Sequence, residues 1–183
     1  MSMKNIASEN TRSRLSHVTE SQVQPNAVDI KLDKLYEINR DNAFSIDEQQ
    51  KVHRGSIEVF PNEQGYFELA PGSTYEFLAE GTVAIGEGEA GFIITRSTLN
   101  RNGVFLTSGL YDSGYHGVMA GAIHNVSGYT KIAKGTRVGQ MIIWEAEALH
   151  NYDGDYGTGK MDDTLYNNKW EINETFYRNY FDS

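Results

Sequence analysis

From Ser56 to Trp144 the chain reads as one short apolar segment after another: SIEVF, YFELA, TYEFL, TVAIG, GFIIT, GVFLT, GVMAGAI, TKIA and RVGQMIIW. Gly, Pro or Asn punctuates nearly every gap, at the spacing of about 8–12 residues that suits a sandwich or barrel. No stretch here keeps the helical period of about 3.6 residues, so the expected class is all-β, of distorted jelly-roll or barrel type. An earlier segment, QPNAVDIKL, enters through Pro25 and alternates, with Val28, Ile30 and Leu32 on one face and Asp29 and Lys31 on the other. Asn39 to Gly55 is charged and patternless, a surface excursion, while Arg12 to Ser16 reads as a short helix or a frayed end. Short helical or irregular N- and C-terminal extensions are therefore expected on a single domain spanning 1–183.

Several chemistries are closed to such a chain. It has no Cys, which excludes a disulfide framework, a thiolate nucleophile and a Cys-held zinc. The five His (His17, His53, His116, His124, His150) lack metal-ligand spacing, so no metal is expected on protein side chains directly. A formal charge of −9 argues against a nucleic acid partner, which would need clustered Lys and Arg. The opening residues are polar and no run approaches the ~20 apolar residues of a membrane span, so a cytoplasmic protein without a membrane partner is expected.

The polar groups that could do chemistry concentrate between Phe92 and Asn125. Arg96, Ser97 and Thr98 follow one apolar segment, and Gly109, Asp112, Gly114 and Tyr115 lie between two others, so they fall at strand ends or on a hairpin. Each is a weak signal alone, since Asp favours turns in any case. Two glycine patterns mislead. Gly86, Gly88 and Gly91 spell a dinucleotide fingerprint, but two acids stand where pyrophosphate would lie and a strand follows instead of a helix. Gly154 to Lys160 imitates a phosphate loop until Met161 takes the place of the magnesium-binding Ser or Thr.

In order, these segments resemble the motifs of the dUTPase and dCTP deaminase superfamily over roughly residues 23 to 160, with 161–183 as a C-terminal extension. Ala27-Val28-Asp29 is similar to the first motif, ITRSTLNRNG to the second, SGLYDSGYHG to the third (LxDxxYxG), KGTRVGQMIIW to the fourth and DYGTGK to the Gly-rich fifth. The resemblance implies the β-clip barrel of dUTPase type, a homotrimer with sites between subunits, and Mg²⁺ carried by the triphosphate. It implies Arg96, Ser97, Thr98 and Gln140 on the phosphates, Tyr156 stacked on the base and Lys160 near the phosphates, with Asp29 and Arg101 in supporting roles. The fifth motif normally carries an Arg about five residues before its aromatic; Asn151 stands there, next to His150.

The branch is decided by acid–base chemistry. A deaminase of this superfamily carries a Glu ten residues past the third-motif Asp as its proton shuttle, and here that position is Ala122. Arg101 and the N-terminal strand resemble the deaminase branch, so the chain reads as a hydrolase on a deaminase-like scaffold. Cleavage at an α-phosphorus needs an aimed water, a base and groups that hold developing charge. Asp112 is the candidate base. Gly109 and Gly114 allow a tight hairpin whose backbone can pair with a pyrimidine edge, and Tyr115 can pack beneath a deoxyribose.

The leading reading is hydrolysis of dUTP to dUMP and pyrophosphate. dCTP deamination, alone or combined with that hydrolysis, and a non-catalytic nucleotide-binding regulator are the alternatives. The tail after Lys160 carries Trp170, Phe176, Tyr177, Tyr180 and Phe181, too aromatic for a plain disordered end. Alanine moves no proton, and an always-charged Arg101 cannot act as a base. No ammonia should therefore be released from dCTP; release at a rate comparable to dUTP hydrolysis, followed by an ammonia-coupled assay, would reverse the branch assignment.

Overall fold

The alternation of VDIKLDKLYEI builds an 11-residue strand, one of the two longest crossings of the fold. In the computed structural model, which describes residues 2–158, the chain forms β1 (Met3–Lys4), β2 (Arg14–Leu15), a 3-10 turn (Glu20–Gln22) and β3 (Val28–Ile38). It continues through β4 (Ser45–Ile46), β5 (Lys51–Val52), β6 (Ser56–Val59), β7 (Tyr66–Leu69), β8 (Ser73–Ala84) and β9 (Glu89–Thr95). A one-turn helix α1 (Ser97–Asn100) precedes β10 (Val104–Thr107), β11 (His116–Asn125), β12 (Thr130–Ala133) and β13 (Arg137–Glu145). No helix among the described residues is long and apolar enough to cross a membrane.

All pairings of named strands are antiparallel, and the main sheet runs β1-β13-β3-β8-β11-β10, with β9 also on β13, β6 on β3 and β2 on β8. The first residues of β3, Val28 to Lys31, pair with β13, whereas Leu32 to Glu37 pair with β8 across a register shift. One strand thereby serves two layers, and the curled sheet closes around Ile30, Leu32, Leu35, Phe67, Phe77, Met119, Ile123 and Met141, all at most 2% exposed. Burying such side chains contributes about 1.5–3 kcal/mol each relative to leaving them in water.

The all-β class, β12 and the exposed excursion between Asn39 and Gly55 agree with the sequence pattern; that excursion carries only the two-residue strands β4 and β5. The glycine pattern at Gly86–Gly91 is a turn into β9. Three expectations are corrected. TYEFL and TVAIG are not two strands but one, β8, because Gly81 kinks the strand against Ser16 and does not end it. Ser16 then bonds Thr82 three times, its N–H donating to Thr82 O (3.0 Å) and its Oγ accepting from Thr82 N (2.8 Å) and Thr82 Oγ1 (3.3 Å). Arg12 to Ser16 is neither helix nor frayed, since Arg14 and Leu15 form β2. Arg96-Ser97-Thr98 lead into a helical turn, where the pattern suggested no helix.

A buried carboxylate explains why the N-terminal segment is ordered. Glu89, 0% exposed, accepts from Ser13 Oγ (2.6 Å), Ser13 N (2.9 Å), Thr11 Oγ1 (2.8 Å) and Arg12 N (3.1 Å), and pairs with Lys4 Nζ at 3.1 Å. Burial alone would raise its carboxyl, but the Ser13 and Thr11 hydroxyls, the Arg12 N–H and the Lys4 ammonium outweigh it and lower it to about 2. A folded-state value depressed below the ordinary carboxylate range stabilises fully at neutral pH, and that stability is lost as pH falls from about 4.5 toward 2. Glu89→Gln should cost about 3 kcal/mol at pH 7, with the gap to wild type narrowing below pH 4. Urea midpoints at several pH values check this, and equal midpoints at pH 7 would remove Glu89 from the clasp.

Candidate active site

Three segments converge on one carboxylate. Asp29, in the β13-paired part of β3, is 0% exposed, and its backbone carbonyl is held by Gln22 Nε2 at 2.8 Å. Its Oδ1 accepts from Gln140 Nε2 on β13 at 3.1 Å. Its Oδ2 meets Arg96 Nε at 3.5 Å and Arg137 Nη1 at 3.4 Å. Arg96 stands where β9 ends, kept extended at the N-terminal boundary of α1, and its Nη1 donates to the Arg137 carbonyl at 3.3 Å. Arg137 also donates to the Ser21 carbonyl at 2.8 Å. Two guanidinium groups thus share one buried acid, leaving a net positive pair whose side chains remain 30% and 38% exposed. A planar fork with free donors at a rigid position suits phosphate oxygens. Ser97 and Thr98 are exposed on the first turn of α1 beside this pair, and Arg101 is exposed at its C-terminal boundary.

Arg137 escaped the sequence reading. Three residues from Gln140, it would face the opposite side of a regular strand, because strand side chains alternate. A register shift between Arg137 and Gly139 returns it to the Asp29 side. Only its charge within KGTRVGQ could have drawn notice.

The third-motif residues form a separate turn. Tyr111 is bridged to Gly91 through two backbone hydrogen bonds, and Tyr115 N donates to Asp112 O at 3.0 Å, closing the turn. Ser113 is buried and receives Gly88 N on its Oγ at 2.9 Å. Asp112 itself is exposed, and none of the described residues donates to its carboxylate. Gly109 is exposed, with open space where a side chain would stand. Tyr115 is only 6% exposed; its ring lies 5.2 Å from Tyr111 and 5.4 Å from Tyr152, and its hydroxyl donates to Val118 O at 2.8 Å. Tyr111 likewise donates to Ala120 O and accepts from Ala120 N, both at 3.0 Å, so the two phenols fill the irregularity in β11 between Val118 and Ala120. Tyr156 is exposed and its N–H donates to Tyr152's hydroxyl at 3.2 Å. Lys160 lies outside the described residues.

The structure brings Asp29, Arg96 and Gln140 together and leaves Asp112 apart from them. Asp112 adjoins the Gly91 end of β9 and Arg96 follows its Thr95 end, a separation on the order of 16 Å at ~3.3 Å per strand residue. Among the described residues no three His, Asp or Glu converge in a way that could hold a metal ion. The Asp29 cluster should bind inorganic tripolyphosphate, raising the Tm of the wild-type protein. Removing one charge-assisted hydrogen bond costs about 1.5–3 kcal/mol, so Arg137→Ala and Arg96→Ala should each weaken that binding about tenfold or more. Undiminished protection of Arg137→Ala would exclude Arg137 from the anion site.

Comparison with known proteins identifies the family. Residues 2–146 match the family model described as dCTP deaminase-like. A probable deoxyuridine 5'-triphosphate nucleotidohydrolase of Methanopyrus kandleri is 33% identical over 140 residues, 75% of this chain and 89% of that protein. A Bifidobacterium longum protein named dCTP deaminase, dUMP-forming, is 31% identical over 152 residues, 77% of this chain and 76% of that one. The 2'-deoxycytidine 5'-triphosphate deaminase structure from Agrobacterium tumefaciens superposes with a TM-score of 0.56 at 16% identity, over 76% of this chain; this chain spans 46% of that one. That likeness concerns the fold, whereas the sequence match extends through all the strands named above, and by it this chain belongs to the dCTP deaminase-like family, in the superfamily of dUTPases and dCTP deaminases.

Proposed function

We propose that this chain hydrolyses dUTP to dUMP and pyrophosphate. The observation that carries the reading is the Asp29-anchored pair of guanidinium groups with Gln140 beside it, a rigid receptor for a polyphosphate. Relatives named probable dUTP nucleotidohydrolases, at 33% and 31% identity, support the same substrate. Arg96 and Arg137 hold the phosphates, with Ser97, Thr98 and Gln140 as neutral donors. Asp112 takes a proton from water as its oxygen attacks the α-phosphorus; the bond to the α–β bridging oxygen breaks and pyrophosphate departs. Asp112 suits this role because it is exposed and its carboxylate is uncommitted among the described residues.

Asp29 is fully engaged by three donors, so the cluster suits the anion and not a cation. Mg²⁺ accordingly travels on the triphosphate, where it neutralises phosphate charge, and no side chain is assigned to it. Because Asp112 and Arg96 stand at opposite ends of β9, a complete site combines the Asp112 turn of one copy with the Asp29 cluster of another. Three copies closing a ring, each interface joining unlike surfaces, satisfy that need. Residues 1–183 act as one domain on the nucleotide pool of the cytoplasm. Arg101 and the dUMP-forming deaminase relative favour dCTP deamination as the second reading. Against it, Ala122 offers only a methyl group between Thr107 and Glu76.

A nucleotide panel resolved by chromatography should give dUMP and pyrophosphate from dUTP. Asp112→Asn should lower kcat about 10²-fold with substrate binding kept. Mixing Asp112→Asn with Arg96→Ala chains should restore activity through hybrid sites. Wild-type turnover in Asp112→Asn would reduce this residue to a turn former, and absence of rescue would count against sites shared between copies.

A further inference from the structure

Beyond residue 146, where the family match ends, residues 151–158 run back along the Asp112 turn of their own chain. We propose that this segment is a strap that fixes the turn, and that Asn151, Tyr152 and Gly157 are positioning residues for the reaction; the catalytic part rests on reading Asp112 as the base.

The strap touches both sides of the turn. Tyr152 N donates to Ser113 O at 2.7 Å, one residue past Asp112, and the Tyr152 ring stands edge-on to Tyr115 at 5.4 Å. A Cβ on Gly114 would come within 2.9 Å of Asn151 Cβ, so Asn151 closes directly on the turn. Farther along, Thr158 N donates to His116 O at 2.8 Å. Backbone meets backbone there: a Cβ on Gly117 would lie 2.6 Å from Gly157 Cα, and one on Gly157 would lie 2.5 Å from His116 O. Gly157 also has φ +116°, where an L side chain is strained. A passing loop would leave room for a methyl group; this contact excludes one. Tyr156 N closes the strap on Tyr152's hydroxyl at 3.2 Å, and Asp155 pairs with Lys51 Nζ of β5 at 2.9 Å.

These contacts bear on rate because Asp112 is exposed: Gly91, Ile85, Gly86 and Gly88 hold its turn through Tyr111, Gly114 N, Tyr115 O and the Ser113 hydroxyl, and the strap adds Tyr152 N on Ser113 O and Asn151 against Gly114. Displacing a catalytic group by about 1 Å can cost about 10²-fold. Asn151 occupies the place where the fifth motif of the superfamily normally carries Arg, and here its side chain meets the turn.

Steady-state kinetics on dUTP and hydrogen exchange by mass spectrometry test the proposal on the full chain. Gly157→Ala and Tyr152→Ala should each lower kcat about tenfold or more, with KM changed less than threefold. In both, the amides of Ser113 to Tyr115 should exchange faster while those of β8 are unchanged. Tyr152→Phe, which keeps the ring against Tyr115 but loses the Tyr156 N hydrogen bond, should lower kcat less than Tyr152→Ala, and Gly128→Ala, where a Cβ meets open space, is the control expected to keep wild-type kcat. If Gly157→Ala fails to fold, the Tyr152 pair decides. If wild type hydrolyses dUTP and both disruptive variants keep kcat within twofold, the strap has no positioning role and the dUTP reading stands. If wild type leaves dUTP intact, the function reading fails on its own. The exchange data then judge the strap: faster exchange at Ser113 to Tyr115 supports it, and unchanged exchange overturns it.

Discussion

A carboxylate with no exposure to water is costly unless its charge is met, and the Asp29 side chain is met by Arg96, Arg137 and Gln140. That requirement joins β3, the end of β9 and β13 at one point, and it fixes two long, flexible side chains in one arrangement. The acid thus acts on the two guanidinium groups: it fixes their forks, so that an anion bound by them, as proposed, would cost less rotamer freedom. Its position follows from the strand that carries it. The first part of β3 belongs to the β13 layer and the rest to the β8 layer, so Asp29 sits just before the crossing.

The same sheet that concentrates positive charge at one end of β9 keeps the exposed acid, Asp112, at the other. This separation avoids a direct Asp112–Arg96 ion pair within one chain, which would neutralise both groups. Two tyrosines secure the acidic end by an economical route: their rings pack in the core while their hydroxyls supply the hydrogen bonds that the irregular part of β11 lacks. Burial pushes the Tyr111 phenol up, despite the Ala120 hydrogen bond that pulls it down, and keeps it a donor at any physiological pH.

Much of the barrel was legible because its strands are short, alternating and separated by turn residues, and TKIA and RVGQMIIW fall almost at their observed bounds. Asp29, Arg96 and Gln140 were legible through motif order alone, since nothing local to any one of them marks it out. What stayed hidden depends on long-range geometry. Arg137 joins the cluster only because a bulge reverses its facing, and pattern reading assumes a regular pleat. TYEFL and TVAIG look like two strands because Gly81 resembles a break, until Ser16 from a distant part of the chain fills the space beside it. The order of Arg12 to Ser16 comes from Glu89, a partner 76 positions from Ser13.

The clasp at the N-terminus also bears on how the protein is made. Met3 pairs with Trp144, Lys4 with Ile143, and Lys4 Nζ reaches Glu89 and Glu145. A ribosome delivers residue 3 well before residue 144, which follows only after nearly the whole barrel has emerged. β1 therefore waits for its partner strand until β13 has been made, and takes its place late although it is made early. Such distant pairing is slow to form because a long loop must close before any contact compensates its entropy. Completion of β13 is then the event that lets the sheet receive its outermost strand.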